Sequence, residues 1–316
     1  MSFTRPKKLF MMQPMMLHVC YGLIPCVLAS VYYFGLRSLA VIALCLAAGI
    51  LVEGIFTFRQ GKPVTSAVFV SSMIFALSLP PTIPFWMAAI GMVFGTMFGK
   101  MVFGGFGFNV YNPAMVGRCF IYITFPVALT NQWVNPVAGK WGGFVAWTSP
   151  VDAVARATPL TILKEGGTYP LDQLLTGFQP GSFGETCAVL ILLGGLYIVY
   201  KKSAKWRLVV GCLAGAMVMA TALRYGGVAN VPPLPYVLCS GSLLFGAFFI
   251  VTEPISGAKT ETGQWVYACM VGALIILIRR FSSFAEGVMF ATLFMNTFVP
   301  LLDTGVKEWQ NRRKTA

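Results

Sequence analysis

The sequence predicts an all-α polytopic membrane protein with about ten transmembrane helices in two inverted repeats with interrupted helices. Three observations predict it. Of 316 residues, 57% are hydrophobic and 10% are charged, whereas a soluble globular chain is about a quarter charged. The apolar residues fall in runs of roughly 16–21 residues separated by short polar breaks, close to the length that crosses about 30 Å of hydrocarbon. The order of features in the first half also recurs in the second.

The spans are expected near 15–35, 38–57, 66–81, 84–101, 112–127, 184–200, 207–223, 236–252, 264–280 and 284–302. The first follows the basic start Arg5, Lys7 and Lys8, with no small-residue cleavage site that would mark a removable signal. The second carries Glu53 and closes at Arg59 and Lys62. The third ends in a double proline, Trp86 opens the glycine-rich fourth, and N-P-A from Asn112 opens the fifth. A long polar stretch, 128–183, follows. The sixth closes at Lys201, Lys202, Lys205 and Arg207, the eighth runs into T-E-P at Glu253, Trp265 opens the ninth, and the last ends at Asp303 before a basic tail. Basic residues collect in cytoplasmic loops, so both termini are expected in the cytoplasm of a bacterial or archaeal cell and 128–183 outside. Arg279 and Arg280 break that rule and are candidates to hold an anion. The organisation is a first membrane repeat over 1–127, an outer loop over 128–183, and a second repeat with a short tail over 184–316.

The repeat is read from S-S-M-I-F-A-L-S-L-P-P (from Ser71), Trp86 and N-P-A-M-V-G-R-C-F-I-Y-I-T-F-P (to Pro126) against G-S-L-L-F-G-A-F-F-I-V-T-E-P (from Gly241), Trp265 and E-G-V-M-F-A-T-L-F-M-N-T-F-V-P (to Pro300). If each half holds an odd number of spans the copies are inverted, an arrangement that places binding sites at broken helices near the midplane.

The net charge of +13 is topological, since the basic residues sit between apolar runs rather than along one face, and a nucleic-acid partner is excluded. The eight cysteines are scattered with no C-x-x-C pair, and the single histidine, His18, has no neighbouring ligand. A local metal site is therefore not expected, and His18 reads as a packing or headgroup residue.

Acids at membrane depth are functional candidates. Glu53 and Glu253 are the expected path for Na⁺ or H⁺, while Glu286 and Asp303 fall at the ends of the last span. Arg118 is a counter-charge for an acid or for a reduced cofactor. G-G-F-G-F-N-V-Y-N-P-A lacks both dinucleotide spacing and a phosphate-loop lysine, so it reads as an interrupted helix in which Asn109 and Asn112 line a cavity or Asn112 caps the next helix. The outer loop contains V-D-A-V-A-R-A-T-P-L-T, in which Asp152, Arg156, Ala157 and Thr158 set a carboxylate, a cation and a hydroxyl close together. Such a set can anchor a phosphate, although Thr before Pro is also ordinary turn and cap chemistry.

D-x-x-x-x-A-T-P-L resembles the flavin attachment site of the RnfD/NqrB family, whose members serve the Rnf complex and the sodium-translocating NADH:quinone reductase. L-S-L-P-P-T-I-P-F-W (from Leu77), G-K-M-V-F-G-G-F-G-F-N-V-Y-N-P-A-M-V-G-R (from Gly99), F-G-A-F-F-I-V-T-E-P-I-S (from Phe245) and A-E-G-V-M-F-A-T-L-F-M-N-T-F-V-P-L-L-D (to Asp303) extend the resemblance over nearly the whole chain. It implies FMN joined to Thr158 through a phosphoester by a flavin transferase that recognises Asp152. It further implies a noncovalent riboflavin at Asn109 and Asn112, and partner subunits carrying iron–sulfur clusters and further flavins. The family usually has Ser or Thr then Gly where this chain has Ala155 and Arg156, which bears on recognition by the transferase. A chain starting just before its first span is closer to the Rnf member than to the quinone reductase member. The rival class is a flavin-free channel or transporter of inverted-repeat fold.

Overall fold

The computed structural model describes residues 8–130, 133–137, 143–144, 147, 157–283 and 286–315. Inside a bilayer each backbone N–H and C=O must find its partner within the chain, which leaves helices as the spanning elements of an apolar sequence like this one. Among the described residues five helices are long and apolar enough to cross: α1 (Pro14–Phe34), α2 (Arg37–Arg59), α10 (Trp206–Tyr225), α13 (Glu261–Phe281) and α14 (Val288–Thr315). At 1.5 Å per residue, the 21 residues of α1 rise about 32 Å, enough for the hydrocarbon core. Leu28, Leu51, Leu193 and Val218 are each more than half exposed, a surface suited to lipid.

The other expected spans are shorter or broken, so length alone does not give ten crossings. Helix α3 (Ala67–Leu77) stops after 11 residues because Pro80 and Pro81 cannot continue it. Helix α4 (Phe85–Thr96) passes into a π-helical turn, Met97–Met101. Asn112 then caps α5 (Pro113–Thr124), and α6 (Pro126–Thr130) follows. In the loop after it, α7 (Pro159–Lys164) and α8 (Leu171–Thr176) are single short turns. Helix α9 (Ala188–Tyr200) has 13 residues. The expected span 236–252 is α11 (Leu234–Cys239), α12 (Leu243–Phe245) and a second π-helical turn, Gly246–Ile250. A window of mean hydropathy is blind to these interruptions, since the breaking residues are themselves apolar or small.

Each break is stitched. The stretch after α3 gives Leu77 O and Leu79 O to the N–H groups of Gly184 (2.7 Å) and Phe183 (3.1 Å), and buried Arg37 donates to Ile83 O at 2.6 Å. Strand β1 (Phe10–Met11) pairs in parallel with β2 (Val64–Thr65), which fixes the residues just after α2. Close helix contacts rest on glycine: a Cβ on Gly272 of α13 would lie 1.9 Å from Cys212 O of α10, and one on Gly117 of α5 would lie 2.4 Å from Gly91 O of α4. Small residues of this kind let helix backbones approach in lipid. In each half one helix sits between two others, α4 on α2 and α5, α13 on α10 and α14.

Candidate functional site

Two polar clusters stand at opposite ends of α5. The first surrounds Thr158. Its extended backbone (φ −72°, ψ 155°) and the proline that follows make it the N-cap of α7. Its Oγ1 accepts from Thr161 N at 3.3 Å and lies 3.0 Å from Thr161 Oγ1. The cap anticipated from the Thr-Pro pair is therefore present, and an esterified oxygen would still accept that bond. Thr158 is half-buried and Ala157 is exposed; Asp152 and Arg156 lie outside the described residues.

Thr158 opens onto a cavity of about 880 Å³, toward the upper end of the 300–1,000 Å³ usual for cofactor sites. Trp133 and Tyr122 form part of its wall, Lys164 and Arg280 bring positive charge, and Glu185 and Glu286 bring carboxylates. Lys164 donates to Ser282 O. Burial, and then the charge of Arg280, hold its ammonium below the usual lysine range. Arg118 on α5 is 2% exposed and binds two acids at once, Glu185 at 3.1 Å and Glu286 through its other terminal nitrogen. Buried Arg279 donates to Val237 O at 3.4 Å. The guanidinium of Arg118 is thus paired with two carboxylates, the condition under which buried charge is tolerated. Glu286, expected at the start of the last span, is the partner of Arg118 that the sequence could not name.

The second cluster holds Glu53 and Glu253. Glu53 is 1% exposed and Lys100, in the first π-helical turn, 2%. Lys100 Nζ donates to Glu53 Oε2 at 2.6 Å and to Thr65 Oγ1 at 2.8 Å, while Thr65 donates to Glu53 Oε1 from its hydroxyl (2.6 Å) and its backbone N–H (2.9 Å). The small β1–β2 pair is what delivers Thr65. Glu253 follows the second π-helical turn and accepts from Asn109 Nδ2 at 3.1 Å and from Ser256 N at 3.3 Å and its hydroxyl. Asn112 spends its carboxamide oxygen on Ala114 N (3.0 Å) and Met115 N (3.4 Å) and its Nδ2 on Ile250 O (3.4 Å). Asn296 joins the same break through Ser256 O (3.0 Å) and Tyr267 Oη (3.1 Å). Asp303 accepts from the N–H groups of Lys259 (2.9 Å) and Thr260 (3.0 Å) and from Thr260 Oγ1 (2.6 Å), so it anchors the start of α13. Both ends of the Asn112 carboxamide and the Nδ2 of Asn109 are thus engaged within the chain. A riboflavin held by both would have to compete with these bonds. His18 packs, with Ser203 Oγ 3.0 Å from its Nδ1 and Tyr197 edge-on.

Lys100, Thr65, Glu185 and Asn296 escaped the sequence reading. Lys100 was visible as the one charge inside the run 84–101, and the rule that singled out the acids applies equally to it.

A family model described as NQR2, RnfD, RnfE family matches residues 6–311. The chain belongs to this family. It is 36% identical over 279 residues to the B subunit of a Na(+)-translocating NADH-quinone reductase from Pseudomonas aeruginosa (strain LESB58), covering 84% of this chain and 65% of that protein. It is 34% identical to the corresponding quinone reductase subunit of Azotobacter vinelandii over 92% of this chain and 71% of that one. It is 33% identical to the D subunit of an ion-translocating oxidoreductase complex from Actinobacillus succinogenes, over 91% of this chain and 90% of that one. The chain thus spans 65% of the length of the Pseudomonas relatives. These relatives are, by name, subunits of ion-translocating complexes.

Proposed function

We propose that this chain is the membrane flavoprotein subunit of an Rnf-type ion-translocating ferredoxin:NAD oxidoreductase, carrying FMN on Thr158 at the outer face. On this reading it couples inward electron transfer to movement of Na⁺ or H⁺ past Glu53 and Glu253. The observation that carries the proposal is the half-buried hydroxyl of Thr158 on the wall of a cavity of cofactor size. Lys164 and Arg280 are placed to neutralise the phosphodiester, and Trp133 and Tyr122 to exclude water from the ring. The flavin, once attached, would supply the electron transfer itself; the protein supplies position and electrostatics. Ferredoxin and NAD chemistry, iron–sulfur clusters and further flavins belong on partner subunits, and a flavin transferase matures the chain. The inverted relation of the two halves is part of the proposal, supported by the like packing of α4 and α13.

The test is in-gel flavin fluorescence of the denatured chain, co-expressed with a flavin transferase, wild type against Thr158→Ala. Fluorescence in the wild type alone is expected; a dark wild-type band beside a labelled control substrate would overturn the flavin assignment and favour the channel class. The second reading, an NADH–quinone reductase assembly, is favoured by the 36% identity to the Pseudomonas protein. Reduction of the assembled complex by NADH with quinone as acceptor, and not by ferredoxin, would select it.

A further inference from the structure

We propose that Lys100 is a tethered counter-cation that competes with the transported ion for Glu53, holding that carboxylate when the site is empty and moving toward Glu253 when an ion arrives. The inference rests on the reading of Glu53 and Glu253 as the ion path and assigns the residue that makes binding there reversible. Among the described residues the second cluster holds one buried carboxylate, Glu53, one half-buried carboxylate, Glu253, and one buried ammonium, Lys100. Glu53 takes the ammonium directly, at 2.6 Å. The hydrogen bonds to Glu253 from the described residues come from neutral groups, Asn109 and Ser256. The charge of Lys100 nevertheless acts on both acids. The set is thus one positive charge short, and a bare carboxylate at this depth is strongly disfavoured. A monovalent cation, Na⁺ or a proton, restores the balance.

The vacated position suits such an ion. It is bounded by Glu53 Oε2 and Thr65 Oγ1, the oxygens now 2.6 and 2.8 Å from the ammonium. Thr65 holds the other carboxylate oxygen with its N–H and hydroxyl, so Glu53 stays in place when Lys100 leaves. Lysine suits the role because its charge sits on a flexible four-carbon stem rather than a planar fork. Its backbone lies in a π-helical turn, a form common at functional sites. The chain just beyond runs through Gly104, Gly105 and Gly107 with φ of 114°, 94° and 92°, a backbone few other residues adopt.

A tethered competitor acts at high effective concentration, so removing it lowers the ion concentration needed for half-saturation by about tenfold or more. The test uses the purified complex in proteoliposomes. It follows electron transfer against Na⁺ concentration and against pH, and transport with ²²Na⁺ and a pH-sensitive dye. Lys100→Met, which keeps length and loses charge, should lower the half-saturating Na⁺ or, where transport is of protons, the half-saturating proton concentration, and should move fewer ions per electron. Lys100→Arg keeps the charge in a fork that grips a carboxylate with two bonds and should shift half-saturation the opposite way. Flavin content reports assembly, and Lys100→Arg decides the matter if Lys100→Met fails to assemble. An assembled Lys100→Arg complex with wild-type ion dependence would overturn the proposal, since a merely structural pair predicts that result. Normal pumping by Glu53→Gln would instead overturn the ion path; impaired pumping there with unchanged ion dependence in the lysine variants sinks the counter-cation alone.

Discussion

Replacing Arg118 with methionine removes one guanidinium and leaves two carboxylates, Glu185 and Glu286, without the cation both now touch. Deleting one partner of a buried ion pair costs about 3–5 kcal/mol, most of it the penalty of the charge left behind. Here two acids are stranded, and protonation of one of them limits the loss, so Arg118→Met should cost about 3–5 kcal/mol rather than twice that. The control is the neutral triple variant Arg118→Met/Glu185→Gln/Glu286→Gln, which removes the stranded charge and should recover most of the stability. Thermal unfolding of the purified protein in mild detergent, followed by reactivity of the buried thiols of Cys26, Cys45 and Cys212, measures both. A single variant as stable as wild type, or a triple variant no better than the single, would refute the reasoning.

Thr158→Ser keeps a hydroxyl and the cap, so it should retain helix α7 and some attached flavin; Thr158→Ala should lose the flavin band and about 1 kcal/mol of cap energy, read by fluorescence and thermal unfolding. Gly272→Val drives a side chain into Cys212 O, 1.9 Å from the new Cβ, and should cost about 3 kcal/mol or more, seen as loss of folded protein in membranes. Asp303→Ala strips the three acceptor bonds that start α13; the expected cost is about 2–3 kcal/mol, read as a lower unfolding temperature.

Where the chain is continuous, hydropathy located it well: the first two spans, expected over 15–35 and 38–57, are Pro14–Phe34 and Arg37–Arg59. Where it is broken, mean hydropathy failed for a physical reason. The expected span 236–252 contains Gly241, a left-handed residue with φ 61°, and glycine, serine and proline lower mean hydropathy too little to register. The Thr-Pro cap was legible because capping is local. The pairing of Glu53 with Lys100, 47 positions away, and of Arg118 with Glu185 and Glu286 was not, because it depends on which helices become neighbours. The role of Asn112 fell between the two, its position before a helix start being readable and its partners not, while Asp303, expected at the end of the last span, lies inside α14, which runs on to Thr315.

The contact of Gly91 with Gly117 locks α4 and α5 into a stiff hairpin, since neither backbone can slide without collision. One arm ends in the turn that bears Lys100 and the other carries Arg118, about 9 Å along from Asn112. The hairpin therefore carries two buried charges, Lys100 in the turn that ends one arm and Arg118 midway along the other. If Lys100 competes for Glu53 as proposed, a shift of Glu185 or Glu286, which hold Arg118, would carry α5 and with it the turn that bears Lys100.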